Sequence, residues 1–289
     1  MAENILQVRK LHKEFGGVIA LHNVSFEVAR GEVFAVIGPN GAGKTTLFNL
    51  ISGALPATAG EVDFEDKPIL GLEPHAIAAR GLVRTFQTVQ IFGNMTILEN
   101  VMVGRHTKMR YGLFDAALRL PRARAEERQA RDEAMQRLEM VGLAEKANAS
   151  AASLSFGRQR VLEAARALAL DPKLILFDEP GAGLTRSEVE DLDRLIQQLR
   201  DRGITVLLVE HNMELVMGIA DRVMVLDYGQ KIAEGTPLQV QQNPRVIAAY
   251  LGAETFTVMP AFADNPPATT DSSTPSSVPL QGENHAANQ

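Results

Sequence analysis

The stretch VFAVIGPNGAGKTTLFNLI at residues 33–51 combines an apolar strand, a glycine-rich loop and the start of a helix. The loop matches the pattern G-x-x-x-x-G-K-[S/T], in which glycines let backbone N–H groups turn toward a polyphosphate. Lys44 would place a cation at the β and γ phosphates, and the Thr45 hydroxyl would ligate Mg²⁺. We therefore predict a phosphate-binding loop rather than a purely structural turn. Its nucleotide-binding residues are Gly38, Pro39, Asn40, Gly41, Ala42, Gly43, Lys44, Thr45 and Thr46.

Further strand patterns lie on both sides of this loop and alternate with helical patterns. Short apolar runs at 174–177 (LILF) and 204–209 (ITVLLV) predict two more buried strands. Residues 5–11 and 24–28 alternate apolar and polar positions, which is typical of an antiparallel layer with one solvated face. The combination predicts the α/β class, with helices packed on a largely parallel sheet.

Two consecutive carboxylates, Asp178 and Glu179, follow the apolar run at 174–177. An apolar run that ends in Asp-Glu is often only a strand that meets a solvated turn. Beside a phosphate-binding loop, however, Asp178 could hold the Mg²⁺ shell while Glu179 polarises the attacking water. The pair therefore predicts a hydrolytic site.

Composition excludes several classes of protein. The 289 residues include no cysteine, which rules out disulfide frameworks, thiolate zinc sites and a cysteine nucleophile. No apolar run approaches the roughly 18 to 20 residues that cross a bilayer. The net charge of −6 arises largely from residues 253–289, because without the four acids there the chain has 31 acids against 29 bases. Because residues 1–252 are nearly neutral, they are not expected to bind nucleic acid.

The chain divides by composition into a long α/β part and a short C-terminal segment. Residues 1–252 carry the strand and helix patterns, and the character becomes mainly helical at about 96–165, which predicts an inserted helical subdomain. Residues 253–289 are rich in Pro, Thr, Ser, Ala and Asn and hold few large apolar side chains. They could not bury enough surface to offset their ordering entropy, so a disordered tail is predicted.

Two further motifs complete a recognisable order. The segment LSFGRQ at 154–159 opens a helical pattern, and Glu210-His211 closes the strand pattern at 204–209. With the phosphate loop and Asp178-Glu179, this order resembles the ATP-binding subunit of an ABC transporter over roughly residues 5–252. The resemblance implies a P-loop NTPase three-layer core with an antiparallel β subdomain and an inserted helical subdomain.

The resemblance also implies roles for individual residues. Phe15 matches the aromatic residue that stacks on adenine, and Gln87 matches the glutamine that reaches the metal and lines the contact with the membrane subunit. Ser155 and Gly157 match the signature motif, which binds the γ phosphate of ATP held on the opposite subunit. His211 matches the histidine that contacts the γ phosphate and the water-positioning carboxylate. Without the other motifs, Phe15 would be interpreted as a core residue, Gln87 as a surface residue and His211 as a structural one.

Several details resemble one branch of the family, the ATPases of branched-chain amino acid importers. Phe156 stands where the signature usually has glycine, and RTFQ at 84–87 and a long helical insert after Gly104 point the same way. The insert resembles the longer, LivG-type member of the usual pair. Arg158 and Thr185 depart from the family pattern, which usually has glutamine and aspartate there.

The resemblance implies an ATPase that uses ATP and Mg²⁺ and lies peripherally on the cytoplasmic face of the inner membrane. Its implied partners are two membrane permease subunits, a second ATPase subunit that sandwiches ATP, and indirectly a periplasmic solute-binding protein. Three alternatives stay open: a soluble ABC clamp in translation or DNA repair, an importer ATPase for urea or short amides, and a regulatory module without turnover. Clamps usually carry two cassettes or a long coiled coil, and neither pattern occurs in this sequence.

A docking surface for the permeases is expected around Gln87 and residues 88–95. Val89, Ile91, Phe92 and Met95 are apolar, yet they lie in a loop that contains Gly and Asn. Clusters of exposed apolar side chains often mark partner sites. The alternative is that they close the core beneath the helical insert.

Overall fold

The computed structural model describes residues 3–85, 90–106 and 121–251, all within a unit that spans Met1–Thr255. Gln87, Val89 and the predicted tail at 253–289 lie outside the described residues. The strands of the described chain are β1 Asn4–Phe15, β2 Val18–Ala29, β3 Val33–Ile37, β4 Ala59–Phe64, β5 Lys67–Pro68, β6 Leu82–Arg84, β7 Leu174–Asp178, β8 Thr205–Val209, β9 Arg222–Asp227 and β10 Gln230–Gly235.

The helices of the described chain are α1 Lys44–Ile51, α2 Pro74–Ala79, α3 Ile97–His106, α4 Pro121–Met140, α5 Phe156–Leu168, α6 Arg186–Asp201, α7 Met213–Ile219, α8 Pro237–Gln241 and α9 Pro244–Leu251. Short 3₁₀ turns at Ala144–Lys146 and Ala151–Ser153 precede α5. Within the described ranges, no helix combines the length and apolar character that crossing a bilayer requires.

The described strands form two sheets, and the larger one has the order β10-β9-β3-β8-β7-β6. Neighbours from β9 to β6 run parallel, and β10 pairs antiparallel with β9 at the edge. The carboxyl ends of β3, β8 and β7 therefore lie side by side, with the phosphate loop following β3. The predicted α/β architecture is confirmed, and ligands in such sheets usually bind at this edge.

Both faces of the large sheet are buried, which explains why β3, β7 and β8 read as continuous apolar runs. Ala35, Phe177 and Leu208 pack with the helices of one face. Their neighbours along the strands, Phe34 and Leu176, pack with α1 and the second sheet on the other face. The period of two along each strand thus divides the core into two apolar layers around the sheet.

The second sheet is antiparallel, with the order β2-β1-β4-β5. Its first two strands are longer than the predicted segments 5–11 and 24–28, because β1 and β2 continue to a tight hairpin in which Phe15 pairs with Val18. The turn residues Gly16 and Gly17 have φ of 52° and 91°, which favours glycine. The residues next to the turn, 14–19, are all exposed, so alternation of apolar positions does not reveal this part of the hairpin.

Helices α3, α4 and α5 pack against one another on the helical side of the large sheet. Arg105 of α3 joins this cluster through ion pairs with Glu133 of α4 and Asp171, which follows α5. Arg137 also bonds Asp171, at 2.6 Å. The limits of a separate helical subdomain at about 96–165 stay a prediction.

Candidate functional site

The phosphate-binding loop connects β3 to α1 in a conformation that depends on glycine. Gly38, Gly41 and Gly43 have φ of 152°, 80° and 100°. A Cβ on Gly43 would lie 2.6 Å from the carbonyl oxygen of Ala20, and one on Gly38 would overlap the carbonyl oxygen of Leu226. The loop is therefore pressed against neighbouring backbone at two places, which fixes its path before any ligand binds.

Lys44 is the first residue of α1 and its side chain is buried. Its Nζ donates to the carbonyl oxygens of Gly38 and Pro39, at 2.7 and 3.0 Å. Burial lowers the pKa of Lys44, while the charges of Glu179 and Asp178 act in the opposite direction. The cation thus lies within the loop and within electrostatic reach of both carboxylates. Thr45 is exposed at the start of the helix, and Thr46 is half-buried.

Asp178 ends β7 and is 2% exposed. Its Oδ2 accepts a bond of 2.6 Å from Arg84, the last residue of β6. Its Oδ1 is buried and has no hydrogen-bond partner among the described residues. A buried carboxylate oxygen without a partner is costly, and a hydrated cation would satisfy it.

Glu179 follows directly and has φ of 50°, which turns the chain sharply away from β7. Its N–H donates to the carbonyl oxygen of Val209 at 2.9 Å, and its carbonyl oxygen accepts from Arg160 at 3.0 Å. A non-glycine residue in this region is strained, so these bonds hold a conformation that the residue would not adopt alone. The half-buried Glu179 is thereby held at the same sheet edge as Lys44.

The end of β8 carries a buried carboxylate, Glu210, next to the predicted His211. Glu210 Oε1 accepts from the N–H of Gly181 at 2.5 Å, and Oε2 accepts from the N–H groups of His211 and Asn212 at 3.0 and 3.2 Å. Glu210 therefore ties the segment after Glu179 to the segment that presents the exposed His211. Its structural role could not be read from the sequence pattern.

Ser155 and Gly157 belong to a second cluster at the start of α5. Ser155 is the N-cap of α5, and its hydroxyl donates to Glu188 Oε1 at 3.4 Å. A Cβ on Gly157 would overlap the carboxylate of Glu188. Among the described residues, the contacts of this cluster run to Glu188 and not to the phosphate-binding loop. Phe15 is exposed at the end of β1, with Lys13 Nζ 4.6 Å from its ring centre.

The structure adds three residues that sequence reasoning did not assign to the site: Arg84, Glu188 and Glu210. Arg84 belongs to the RTFQ segment, but nothing in that pattern indicates that its side chain bonds Asp178. Glu188 had a readable signal, because Thr185-x-x-Glu is the pattern of a helix capping box. Gln87 lies outside the described residues.

A Mg²⁺ ion suits this site only together with a ligand. Among the described residues, no group of three or more His, Asp or Glu side chains could hold a metal by itself. Mg²⁺ is usually bound by one or two protein oxygens, waters and substrate phosphates. Asp178, with its unpartnered Oδ1, and the exposed Thr45 hydroxyl fit that arrangement.

Sequence comparison finds two family matches. A family described as "ABC transporter" matches residues 21–182, and one described as "Branched-chain amino acid ATP-binding cassette transporter" matches residues 230–255. The high-affinity branched-chain amino acid transport ATP-binding protein LivG of Escherichia coli K12 is 45% identical over 253 residues, which cover 87% of this chain and 99% of that protein. BraF of Pseudomonas aeruginosa, which has the same description, is 44% identical with the same coverage.

The chain is also similar to solved structures of ATP-binding cassettes. The ADP conformation of MJ1267, an ATP-binding cassette of an ABC transporter, matches with a TM-score of 0.76 and 36% identity, over 86% of this chain and 99% of that one. A dimeric post-hydrolysis state of the cassette MJ0796, bound to ADP and Pi, matches with a TM-score of 0.67 and 26% identity, over 80% and 98%.

Proposed function

Because this chain belongs to the family of ABC transporter ATP-binding proteins, we propose that it is the ATP-hydrolysing subunit of a bacterial importer for branched-chain amino acids. The convergence of Lys44, Asp178 and Glu179 at one sheet edge carries the hydrolytic part of the proposal. The solute rests on relatives such as LivG and BraF, of which this chain covers 99%, and on the match at 230–255. A clamp in translation or DNA repair and an importer for urea or short amides are not favoured by these relatives.

Hydrolysis in this site is phosphoryl transfer to water by positioning and charge stabilisation. Backbone N–H groups of Gly38 and of residues 40–46, together with the Lys44 cation, bind the phosphates. Thr45 and Asp178 would hold Mg²⁺, which would supply positive charge that neutralises the phosphate oxygens. Glu179 accepts a hydrogen bond from the attacking water and orients it in line with the leaving group. His211 contacts the γ phosphate, and Phe15 stacks on adenine.

A second ATPase subunit completes the site. Ser155 and Gly157 lie in a cluster separate from the phosphate loop, so they are suited to an ATP held on another subunit. The bond between Ser155 and Glu188 must then yield to the γ phosphate, and 3.4 Å is long enough for that exchange to cost little. Similarity to a cassette solved as an ADP-bound dimer supports this arrangement.

Two permease subunits would dock at the groove beside residues 90–95. The chain would then lie peripherally on the cytoplasmic face of the inner membrane. Through the permeases it would be linked indirectly to a periplasmic solute-binding protein. The groove has a volume of about 630 Å³ and is lined by Ile91, Phe92, Val103 and Arg166 among others. Phe92 is 42% exposed, yet buried Asn100 bonds both its N–H and its carbonyl oxygen, at 2.8 and 3.0 Å. Phe92 is therefore held at the surface, as a partner site requires. Gln87 precedes this segment, and we propose that it reaches the metal and lines the contact with the permease.

The chemistry is tested with two substitutions at the sheet edge. Glu179→Gln should keep ATP binding and lose most turnover, because only the orientation of water is removed. Lys44→Ala should weaken nucleotide binding itself. Glu190→Gln, an exposed glutamate on α6, serves as the matched control and should retain both properties. Nucleotide affinity and steady-state phosphate release separate the effects. Parental turnover in Glu179→Gln would remove Glu179 from its role.

A further inference from the structure

Arg84 makes three side-chain hydrogen bonds at the sheet edge. Its guanidinium is 11% exposed and donates to Asp178 Oδ2 at 2.6 Å from one terminal nitrogen. The other terminal nitrogen donates to Asn49 Oδ1 at 2.6 Å and to Ser52 Oγ at 3.0 Å. Asn49 belongs to α1, and Ser52 is its C-cap. One arginine therefore connects β6, β7 and the helix that follows the phosphate-binding loop.

Stability alone is a poor explanation for this arrangement. The Nε of Arg84 is buried without a hydrogen-bond partner among the described residues. Removing a guanidinium and a carboxylate from water carries a large desolvation cost, which their attraction only partly returns. An apolar pair at the same place could stabilise the sheet as well or better. We therefore look for the role of the Arg84–Asp178 pair in how it orients the Asp178 carboxylate rather than in stability.

Arg84 leaves the two oxygens of Asp178 in different states. Oδ2 is held by Arg84, while Oδ1 is buried and has no partner among the described residues. The guanidinium cannot rotate freely, because Asn49 and Ser52 hold its other nitrogen. The carboxylate plane is thus set by contacts on one side, with the remaining oxygen available to a ligand.

We propose that Arg84 is a positioning residue for the Mg²⁺ site, which orients Asp178 so that Oδ1 receives the hydrated ion and couples this carboxylate to α1. The inference rests on the proposed function, since it takes Asp178 as the residue that binds the metal shell. Arg84 does not touch the phosphates or the metal itself. It acts through Asp178, in the way that outer-shell partners orient metal-binding carboxylates.

A lysine at this position should reproduce only part of the effect. An ammonium group is a point charge on a flexible stem, whereas the planar guanidinium bonds Asp178 and α1 from different nitrogens at once. Arg84→Lys keeps the positive charge and loses the fixed orientation of the hydrogen bond to Asp178. Arg84→Met keeps most of the apolar volume and loses both.

The test measures metal affinity apart from turnover. Nucleotide binding to the full-length chain is titrated with Mg²⁺, and binding of Mn²⁺ in the presence of ADP is followed by electron paramagnetic resonance. In Arg84→Met the metal concentration for half-saturation should rise about tenfold or more, as for loss of an outer-shell partner. Arg84→Lys should lie between this variant and the parent. Nucleotide affinity without metal should stay within about twofold, because the phosphate loop is intact.

Arg105→Met is the matched control, since Arg105 is 14% exposed and also forms a 2.6 Å ion pair with an aspartate, but in the helical cluster. It should lower the melting temperature and leave metal affinity unchanged. If Arg84→Met fails to fold, Asn49→Ala replaces it and should raise the half-saturating metal concentration by a smaller factor.

Three results would overturn the inference. Unchanged metal affinity with a lowered melting temperature, as in the control, would make Arg84 a structural residue only. Higher metal affinity in Arg84→Met would mean that the arginine merely competes with the ion for the charge of Asp178. If nucleotide binding to the parent chain does not depend on Mg²⁺ at all, the proposed metal site itself is wrong, and the role of Arg84 is rejected with it.

Discussion

Single glycines set the path of the phosphate-binding loop. Gly43 has φ of 100°, and a Cβ there would lie 2.6 Å from the carbonyl oxygen of Ala20 and 2.8 Å from the Leu21 side chain. Gly41 has φ of 80°, but a Cβ there would meet nothing within 4 Å. The two positions share a left-handed backbone and differ in the space around it.

Gly43→Ala should therefore destabilise the chain far more than Gly41→Ala. The left-handed backbone costs an L-residue about 1 to 2 kcal/mol in either variant. The backbone clash at Gly43 adds overpacking on the order of 1 to 3 kcal/mol. Urea unfolding without nucleotide measures both variants against the parent. Equal losses would show that the loop moves away from Ala20 without cost.

Residue 185 shows how one side chain determines the start of an element. Thr185 is the N-cap of α6, where its hydroxyl accepts from the N–H of Glu188 at 3.4 Å. Glu188 returns the bond, since its Oε2 accepts from the N–H of Thr185 at 3.0 Å. The bond from the Thr185 N–H and, after it, a 3.0 Å bond from the Thr185 hydroxyl to Oε2 lower the pKa of Glu188. The departure from the family's usual aspartate thus preserves a capping residue.

Thr185→Ala should lower the free energy of unfolding by about 1 kcal/mol, the usual cost of losing an N-cap. Thr185→Ser keeps a hydroxyl at the same place and should stay close to the parent. Chemical denaturation compares the two. Similar losses in both variants would indicate that the methyl group, rather than the cap, stabilises α6.

The last described helix, α9, reaches the phosphate-binding loop through Tyr250. Burial raises the pKa of the Tyr250 phenol to about 12, the charge of Asp227 adds to the rise, and a hydrogen bond from the N–H of Gly38 opposes it. The folded chain therefore keeps the phenol proton at a pH at which an unfolded tyrosine has lost it. Stability from this group is fully present below pH ~10 and is lost as the pH rises toward ~12.

Tyr250→Phe should remove this alkaline sensitivity. Between pH ~10 and ~12, the free energy of unfolding of the parent should fall relative to the variant by roughly 2 kcal/mol. Below this range the variant should be less stable by about 1 kcal/mol, because it lacks the hydrogen bond with Gly38. Urea unfolding at a series of pH values measures the difference. Parallel curves would place the phenol in water rather than in the core.

At the scale of the whole molecule, the exposed ring of Phe92 predicts how the subunit assembles. Phe92→Ala should weaken co-purification with the permeases and solute-stimulated hydrolysis, while basal hydrolysis and melting temperature stay near the parent values. Leu238→Ala removes another exposed apolar side chain, on α8, and should leave coupling intact. Loss of basal activity and stability in Phe92→Ala would make this residue part of the core.

Much of this fold can be predicted from local sequence patterns. The strand at Val33–Ile37, the glycine loop after it and the carboxylates at 178 and 179 were all predicted, because each depends on nearest neighbours along the chain. Backbone conformation, apolar period and turn chemistry act over a few residues. For the same reason the family resemblance, which rests on such motifs in order, led to the correct fold.

Long-range partnerships had no such local cause. Arg84 and Asp178 are 94 positions apart and meet only because β6 pairs in parallel with β7. Glu188 reaches Ser155 across 33 positions because α5 and α6 begin beside each other. A sequence carries the charge of each group but not the order of strands in a sheet, which follows from burying both apolar faces at once. Tertiary packing alone therefore determined which oxygen of Asp178 bonds Arg84 and which is buried without a partner among the described residues.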